Sequence, residues 1–531
     1  MNPAGKTVTH TYDSRGFRET MKEPEGGVFT YLYDVARRLS WLSNPDGNCT
    51  TYTYDNANRR VLKQLANNTS ASMVYDAASQ LTVVANKGMS TDNQYVYTYD
   101  GAGNRTGVSV TGGVTFAWKY DATNQLTNET KSTPAAFNTT YTYDPVGNRL
   151  GKNDSGTLTT YTYDAANQLT TSVSAGSTTT YTFDASGNQA VENAAGSLTT
   201  STWDDENRRT RVILSSAVVN TSIYNGDGLR VQRQDSAGTT KIVWDGQTYL
   251  EETDGSNITN VIYTVEPTNF GKVISQSRKT GVTWTPTYYH LDGLGSTVRL
   301  SAGNASILNT YAYKAFGEII SSTGSTGNSF RWVGESGYYF DPDLLDDYVR
   351  ARYYRPALAR WLNEDPLGFQ SLDFNMFRYV LNNPASSTDA SGLGPCPPPT
   401  KKECNNLIDQ QHALLAVMYA EVTNGKNTTL YDMLKKSKVL SDAVGYRSSD
   451  LKKQPCWFQQ VVGDIEESNY QTLKSILLLT DLWIYQSLPL PNFPGAPDRL
   501  DTGNGDIWLM MEMARIHLLI TRLEAACKGA Q

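Results

Sequence analysis

The chain reads as mainly β: a long run of stacked β-hairpins followed by a small, mostly α-helical C-terminal domain. Three observations carry that reading. A Tyr-x-Tyr-Asp-like word returns every 20 to 24 residues, its residues alternate in character, and the last 138 residues switch to helical periodicity behind a proline-rich hinge.

The repeat comes first, because a fixed period decides the architecture. It appears as TTYTYDNANRRV from 50, YVYTYDGAGNRTG from 95, TTYTYDPVGNRL from 139, TTYTYDAANQLTT from 159 and TTYTFDASGNQA from 179. The closing aspartate stands at Asp13, Asp34, Asp55, Asp76, Asp100, Asp121, Asp144, Asp164, Asp184 and Asp204, and Asn225 and Asp245 continue the series. Alternation sends Tyr161 and Tyr163 to one face of a strand and Thr160 and Thr162 to the other. The Asp-x-x-Gly/Asn-Asn/Gln-Arg/Leu stretch supplies turn chemistry: Asp bonds backbone two residues on, and Gly or Asn accepts positive φ. One repeat is therefore a hairpin, and stacking hairpins sets Tyr beside Tyr, at roughly 0.2 to 1 kcal/mol per cross-strand aromatic pair.

Composition agrees. Charged residues make up 19%, aromatics 11%, with 33 Tyr and 42 Gly, which suits strands joined by polar turns. The net charge of -7 is moderate and scattered, so no phosphate-binding surface is indicated and nucleic acid is not an expected partner. The N-terminus lacks an apolar segment behind a basic start, and the richest apolar run, ILLLTDLWIY at 476 to 485, is short of a membrane span and contains Asp481. The expectation is a secreted or cell-surface protein that is either a fragment of a longer product or exported without a cleavable signal. Cys49 stands apart from Cys396, Cys404, Cys456 and Cys527, and no pair has C-x-x-C spacing, so disulfides or free thiols rank ahead of metal and no cofactor is expected.

From about residue 285 the words stop copying one another: YYHLDGLGSTVRL (288–300), YAYKAFGEI (311–319), the stretch from FRWVGESGYYF to NEDPLGF (330–369) and FRYVLNNPASSTDASGL (377–393). GPCPPPTKKEC then forms the hinge, and 404–422, 462–487 and 506–527 read as helices, with Asp506 the N-cap of the last. This divides the chain into a repeat region at 1–284, a distinct segment at 285–393 and a helical domain at 394–531.

These words, together with YHLDGLGST and LDDYVRARYYRPALARWLNEDPLGF followed by NMFRYVLNNPASSTDASGL, resemble the Rhs/YD-repeat family over residues 8 to 393. That family includes bacterial polymorphic toxins, the C component of insecticidal toxin complexes and the shell of animal teneurins. The resemblance implies a β-sheet wound into a curved shell, an Rhs-associated core at 285–393, and a variable C-terminal domain that the shell cuts free. The family's two Asp-Pro-x-Gly motifs fall on Asp365-Pro366-Leu367-Gly368 and on Asp389-Ala390-Ser391-Gly392-Leu393, which places the scissile bond at Leu393–Gly394. Two carboxylates in a poorly solvated site share one proton, giving a base to activate water and an acid for the amide. Arg360 matches a basic position before the first motif and is expected to polarise the scissile carbonyl or tune Asp365. Ala390 replaces the family's proline, which would have fixed φ and kept Asp389 extended. Asp346 and Asp347, beside Arg350 and Arg352, are read as salt bridges of the core.

Partners implied are a shell-completing protein or second copy, an immunity protein for the C-terminal domain and a secretion-system component. About 390 residues of sheet, at about 3.3 by 4.8 Å each, enclose a sphere whose free radius of about 17 Å falls just short of a compact 138-residue domain at about 18 Å. The shell is thus expected to need completion, or its cargo to lie outside or unfolded. In that last domain His412, His517, the Asp464–Glu466–Glu467 cluster and DRLDTGNGD at 498–506 match no catalytic or calcium-loop pattern. A second function class stays open: a non-catalytic YD-repeat surface protein whose Tyr-rich sheet binds carbohydrate or a protein partner.

Overall fold

A computed structural model describes residues 2–371 and 373–394. The helices expected at 404–422, 462–487 and 506–527, with His412, His517, the acidic cluster and four of the five cysteines, lie outside the described residues. The described residues up to 12 and from 18 onward form one compact unit.

Thirty strands, from Thr9–Tyr12 to Ile319–Thr323, form one sheet in which each strand pairs antiparallel with the next. The repeat at 159 shows why. Strand Thr157–Tyr163 exposes Thr160 and Thr162 and buries Tyr161. Asp164 then closes the hairpin: its Oδ1 accepts the N–H of Ala166 and of Gln168, both at 2.9 Å, while Asn167 takes φ 63°. The register slips between Thr162 and Tyr163, so the turn ends in a bulge that twists the pair. Neighbouring turns are also tied: Asn104, Asn148 and Asn188 donate to the Oδ1 of Asn124, Asn167 and Asn207 in the next repeat, each at 2.8 Å.

The second aromatic of the word has its own task. Tyr163 donates to the Arg149 carbonyl at 2.9 Å, Tyr143 to Leu126, Tyr120 to Arg105 and Tyr54 to Leu39, in each case the first residue of the preceding strand. Backbone pairing across that gap has already stopped: between Leu126–Lys131 and Phe137–Tyr143 it ends at Asn128–Thr140. The hydroxyl satisfies a carbonyl that the splayed ladder leaves over. Trp203 and Trp244 do the same through Nε1.

The strip winds back beside itself. Asn2 bonds Trp244 in both directions, Arg18 pairs with Asp245 at 2.5 Å, Arg60 with Glu266 at 2.6 Å, Asn67 with Ser301 at 2.9 Å, Asn86 with the Leu291 carbonyl at 3.0 Å and Lys152 with Glu318 at 2.6 Å. Among the described residues no backbone ladder joins these two passes; side chains close the seam.

A second, four-stranded sheet, Tyr339–Asp341, Asp346–Val349, Arg352–Arg355 and Arg360–Trp361, belongs to the segment that covers the Tyr-lined face. Phe330, Tyr339, Tyr348 and Tyr353 pack on Trp244, Tyr249, Tyr263 and Tyr289. Further along, Ala359 and Ala385 meet Leu126 and Tyr141, and Leu358 meets Tyr161 and Tyr181. The repeat region and the core segment therefore share one interior. At about 25 cal/mol per Å², burying these rings holds the inner segment in place more than any single polar contact does.

Arginines five residues after the turn aspartate, or after Asn225 in its place, reach inward from the wall. Arg209 pairs with Asp346 at 2.8 Å, Arg230 grips Asp341 with both Nη atoms, and Arg105 donates to the carbonyls of Gly293 and Ala385. Asp346 also pairs with Arg355, as its reading as a salt bridge anticipated. Its neighbour Asp347 differs: burial, then the charges of Asp346 and Asp341, push its carboxyl far above the ordinary range, and its Oδ1 has no hydrogen-bond partner.

Candidate active site

Asp365 and Asp389 come together at the end of the inner segment. Asp365 follows strand Arg360–Trp361; its Oδ1 accepts the Leu367 N–H at 2.9 Å, and Gly368 N–H closes the turn on its carbonyl at 2.8 Å. The Asp-Pro-x-Gly word thus begins as a turn, and that turn leaves Oδ2 to pair with Arg352.

Asp389 organises the chain that follows it. Its Oδ1 accepts the Ser391 hydroxyl and the N–H groups of Gly392 and Leu393, and its Oδ2 accepts the Gly394 N–H at 2.7 Å. The Gly394 amide nitrogen is the leaving nitrogen of the expected cut, so one carboxylate oxygen already touches the bond in question. Gly392 makes this wrap possible: at φ 71° a Cβ would lie 2.3 Å from the Val349 carbonyl oxygen. Gly394 is also at positive φ, 97°, where a Cβ would stand 3.5 Å from Asp365 Oδ2. Both aspartates are therefore beside Gly394.

Between them lies Arg352. Its Nη2 is 3.0 Å from Asp365 Oδ2 and 3.1 Å from Asp389 Oδ2, its Nε donates to the Gly392 carbonyl, and its guanidinium stacks on Trp361 at 4.1 Å. All three charged side chains are nearly inaccessible, at 1% for Arg352, 4% for Asp365 and 1% for Asp389. Burial raises the Asp365 carboxyl above its ordinary value; Arg352 and the Leu367 N–H pull it down, and Asp389 adds a smaller upward push.

Arg360 is not brought to the pair. It donates to the Asn167 carbonyl at 2.6 Å and lies between the rings of Tyr163 and Phe377, and burial lowers its pKa. Its neighbour in sequence, Trp361, instead supports the guanidinium of Arg352. Arg352, grouped by sequence with the Asp346–Asp347 salt bridges, is the cation that bridges the aspartates. The antiparallel pairing of Tyr354 with Trp361 brings it there, and no local spacing encodes that contact.

Ala390, where proline was expected, is restrained by its surroundings. Tyr338 hydroxyl lies 2.9 Å from Asp389 N–H and 2.8 Å from the Asp389 carbonyl, Arg350 donates to the Ala390 carbonyl at 2.5 Å, and Ala351 N–H reaches the Ser391 carbonyl at 3.3 Å. Side chains on both flanks supply rigidity that a proline ring would have given.

Among the described residues, no helix is long and apolar enough to cross a membrane. Cys49 is unpaired.

Comparison with known proteins agrees with the repeat. A family model described as Teneurin YD-shell matches residues 4–145. The tRNA3(Ser)-specific nuclease WapA of Bacillus spizizenii is 29% identical over 177 residues, 32% of this chain and 7% of that protein. Toxin subunit YenC2 of Yersinia entomophaga is 30% identical over 120 residues, 20% of this chain and 12% of that protein. The chain thus spans about a tenth of the length of these curated relatives. Among solved structures, the Photorhabdus luminescens Tc holotoxin pore superposes with a TM-score of 0.57 at 20% identity, over 73% of this chain and 21% of that one, a likeness of fold. The chain, with its antiparallel strip of hairpins closed by Asp or Asn, is similar to proteins of the Rhs/YD-repeat family.

Proposed function

We propose that this chain is an Rhs-type shell protein that cuts itself once, at Leu393–Gly394, and so frees residues 394–531 as an effector used in competition or virulence. The observation that carries this reading is the 2.7 Å contact between Asp389 Oδ2 and the Gly394 N–H, with Arg352 linking Asp389 to Asp365. Asp365, whose pKa is raised, holds a proton and donates it toward the Leu393 carbonyl oxygen. Asp389 takes a proton from water as the water oxygen bonds to the Leu393 carbonyl carbon. When the carbon–nitrogen bond breaks, Asp389 passes that proton to the Gly394 nitrogen and Asp365 recovers its own. One guanidinium shared by two carboxylates leaves the site close to a single negative charge, which suits one shared proton.

Relatives named as a tRNA nuclease and a toxin subunit support a toxic cargo and a secreted or cell-surface setting. A shell-completing partner, an immunity protein and a secretion component follow from the same reading. Denaturing electrophoresis of purified protein tests it: a fragment of about 15 kDa, the proportional share of the 58.6 kDa chain, is expected and should vanish in Asp365→Asn and Asp389→Asn. A single intact band in the unaltered protein overturns self-cleavage and favours the non-catalytic surface protein. Expression of residues 394–531 alone in a susceptible cell tests toxicity separately.

A further inference from the structure

Three carboxylates converge at the seam where the strip meets itself. Glu23, Glu25 and Glu251 each bring one oxygen to within 4.8 Å of the others. Glu23 and Glu25 lie in the turn between strands Arg18–Lys22 and Val28–Tyr33, and Glu251 lies on strand Thr248–Asp254. The Glu23 carboxylate shapes that turn by accepting the N–H groups of Glu25 and Gly27, each at 2.5 Å.

One ammonium serves two of them. Lys6 Nζ pairs with Glu25 and sits 3.2 Å from Glu251 Oε2, with Thr259 Oγ1 at 2.7 Å. Thr259 Oγ1 is also within hydrogen-bond distance of Glu25 Oε1 and Glu251 Oε2. The Glu251 side chain is fully buried, and its Oε1 has no hydrogen-bond partner. Burial, then the neighbouring Glu25 carboxylate, push Glu251 up to about 8. Burial opposes ionisation of Glu25 as well, but hydrogen bonds from Lys6 and Thr259 bring it down to about 2. Glu23 and Glu25 open onto a cavity of about 450 Å³ that Asn44, Asp46, Asn257 and Trp284 also line.

A bound cation displaces the proton that Glu251 otherwise keeps at neutral pH; the three carboxylates and one ammonium then leave two negative charges uncompensated, next to an orphaned buried oxygen and a cavity able to admit water. That deficit equals the charge of one divalent cation. The available donors are carboxylate, hydroxyl and amide oxygens, the set that suits a hard ion of the calcium type. We propose that Glu23, Glu25 and Glu251 form a calcium-class cation site that clamps the second hairpin to strands Thr248–Asp254 and Thr259–Val265. Lys6 need not leave, because cluster, lysine and cation together sum to zero.

Calorimetric titration of the full chain with calcium chloride at neutral pH tests this, alongside terbium luminescence sensitised through Trp284. One saturable site is expected, with a calcium-dependent rise in the thermal unfolding midpoint. Glu25→Gln, at a side chain 41% exposed and so tolerant of exchange, should weaken calcium binding at least tenfold and abolish the rise. Absence of saturable binding at millimolar calcium, or unaltered binding in Glu25→Gln, overturns the proposal.

Discussion

Arg230 and Asp341 form a two-pronged ion pair, Nη1–Oδ2 at 2.5 Å and Nη2–Oδ1 at 3.0 Å, although 111 residues separate them. Arg230 belongs to the wall and Asp341 to the inner segment, and both are buried. Removing one partner strands a charge away from water. Arg230→Met should therefore cost about 3 to 5 kcal/mol, read as a lower denaturant midpoint, whereas the double variant Arg230→Met, Asp341→Leu should recover much of that loss.

The bridge between the aspartates gives a kinetic prediction. Arg352→Met removes the cation that opposes protonation of Asp365, so that carboxyl rises further. Cleavage at neutral pH should slow by about 10² or more as the aspartates lose their shared anchor, and its alkaline limb, set by the proton that Asp365 must keep, should move to higher pH. Timed appearance of the small fragment across a pH series measures both, while Arg360→Met should leave the pH profile in place.

Gly392 and Gly368 separate conformational need from open space. Gly392→Ala places a methyl against the Val349 carbonyl and should abolish the wrap around Asp389, and cleavage with it. Gly368 has φ 55° but nothing within 4 Å of a Cβ, so Gly368→Ala should cost only about 1 kcal/mol and retain the cut. Fragment yield together with thermal melts distinguishes the two.

Glu129 predicts a pH-dependent stability. Fully buried on strand Leu126–Lys131, it accepts the Ala315 N–H at 2.7 Å, and burial raises it to about 7. A carboxyl with a raised folded-state pKa favours folding while protonated; that contribution is full below about 4.5 and is lost as pH rises through about 7. Its size is about 3 kcal/mol. Glu129→Gln should flatten the fall in denaturant midpoint between pH 5 and 8.

Tyr163→Phe removes only the hydroxyl that caps the Arg149 carbonyl and should cost about 1 kcal/mol. Tyr161→Ala empties a core position beside Leu169 and Tyr181 and should cost about 3 to 5 kcal/mol. Phe183, which ends its own word without a hydroxyl and meets Phe377 edge-on, shows that the cap can be replaced by packing.

Local chemistry was legible and distant pairing was not. The alternation of Tyr161 with Thr160 and Thr162, and the Asp164–Asn167 turn, follow from rules that act within five residues, so the strip could be read from its words. The motif aspartates are placed by the resemblance to the Rhs/YD-repeat family and not by a local rule, since Asp-Pro by itself reads as an ordinary turn. Arg352 could not be placed: its role depends on which strand lies beside Arg352–Arg355 and on the wrap of residues 389–394. The same holds for the wall arginines. Arg105, Arg149, Arg209 and Arg230 occupy one position of the repeat and look alike in sequence, yet Arg209 and Arg230 meet carboxylates while Arg105 and Arg149 meet carbonyls of the inner segment.

The seam behaves mechanically as a row of rivets in a sheet that is otherwise welded. Separating two neighbouring strands means breaking a whole ladder, but parting the first hairpins from the later ones means breaking a few contacts such as Arg18–Asp245, Arg60–Glu266 and Lys152–Glu318. Load applied across that line opens the strip like a book, with every hairpin intact on its page. Salt and acid, which weaken ion pairs far more than backbone ladders, loosen the spine of that book first.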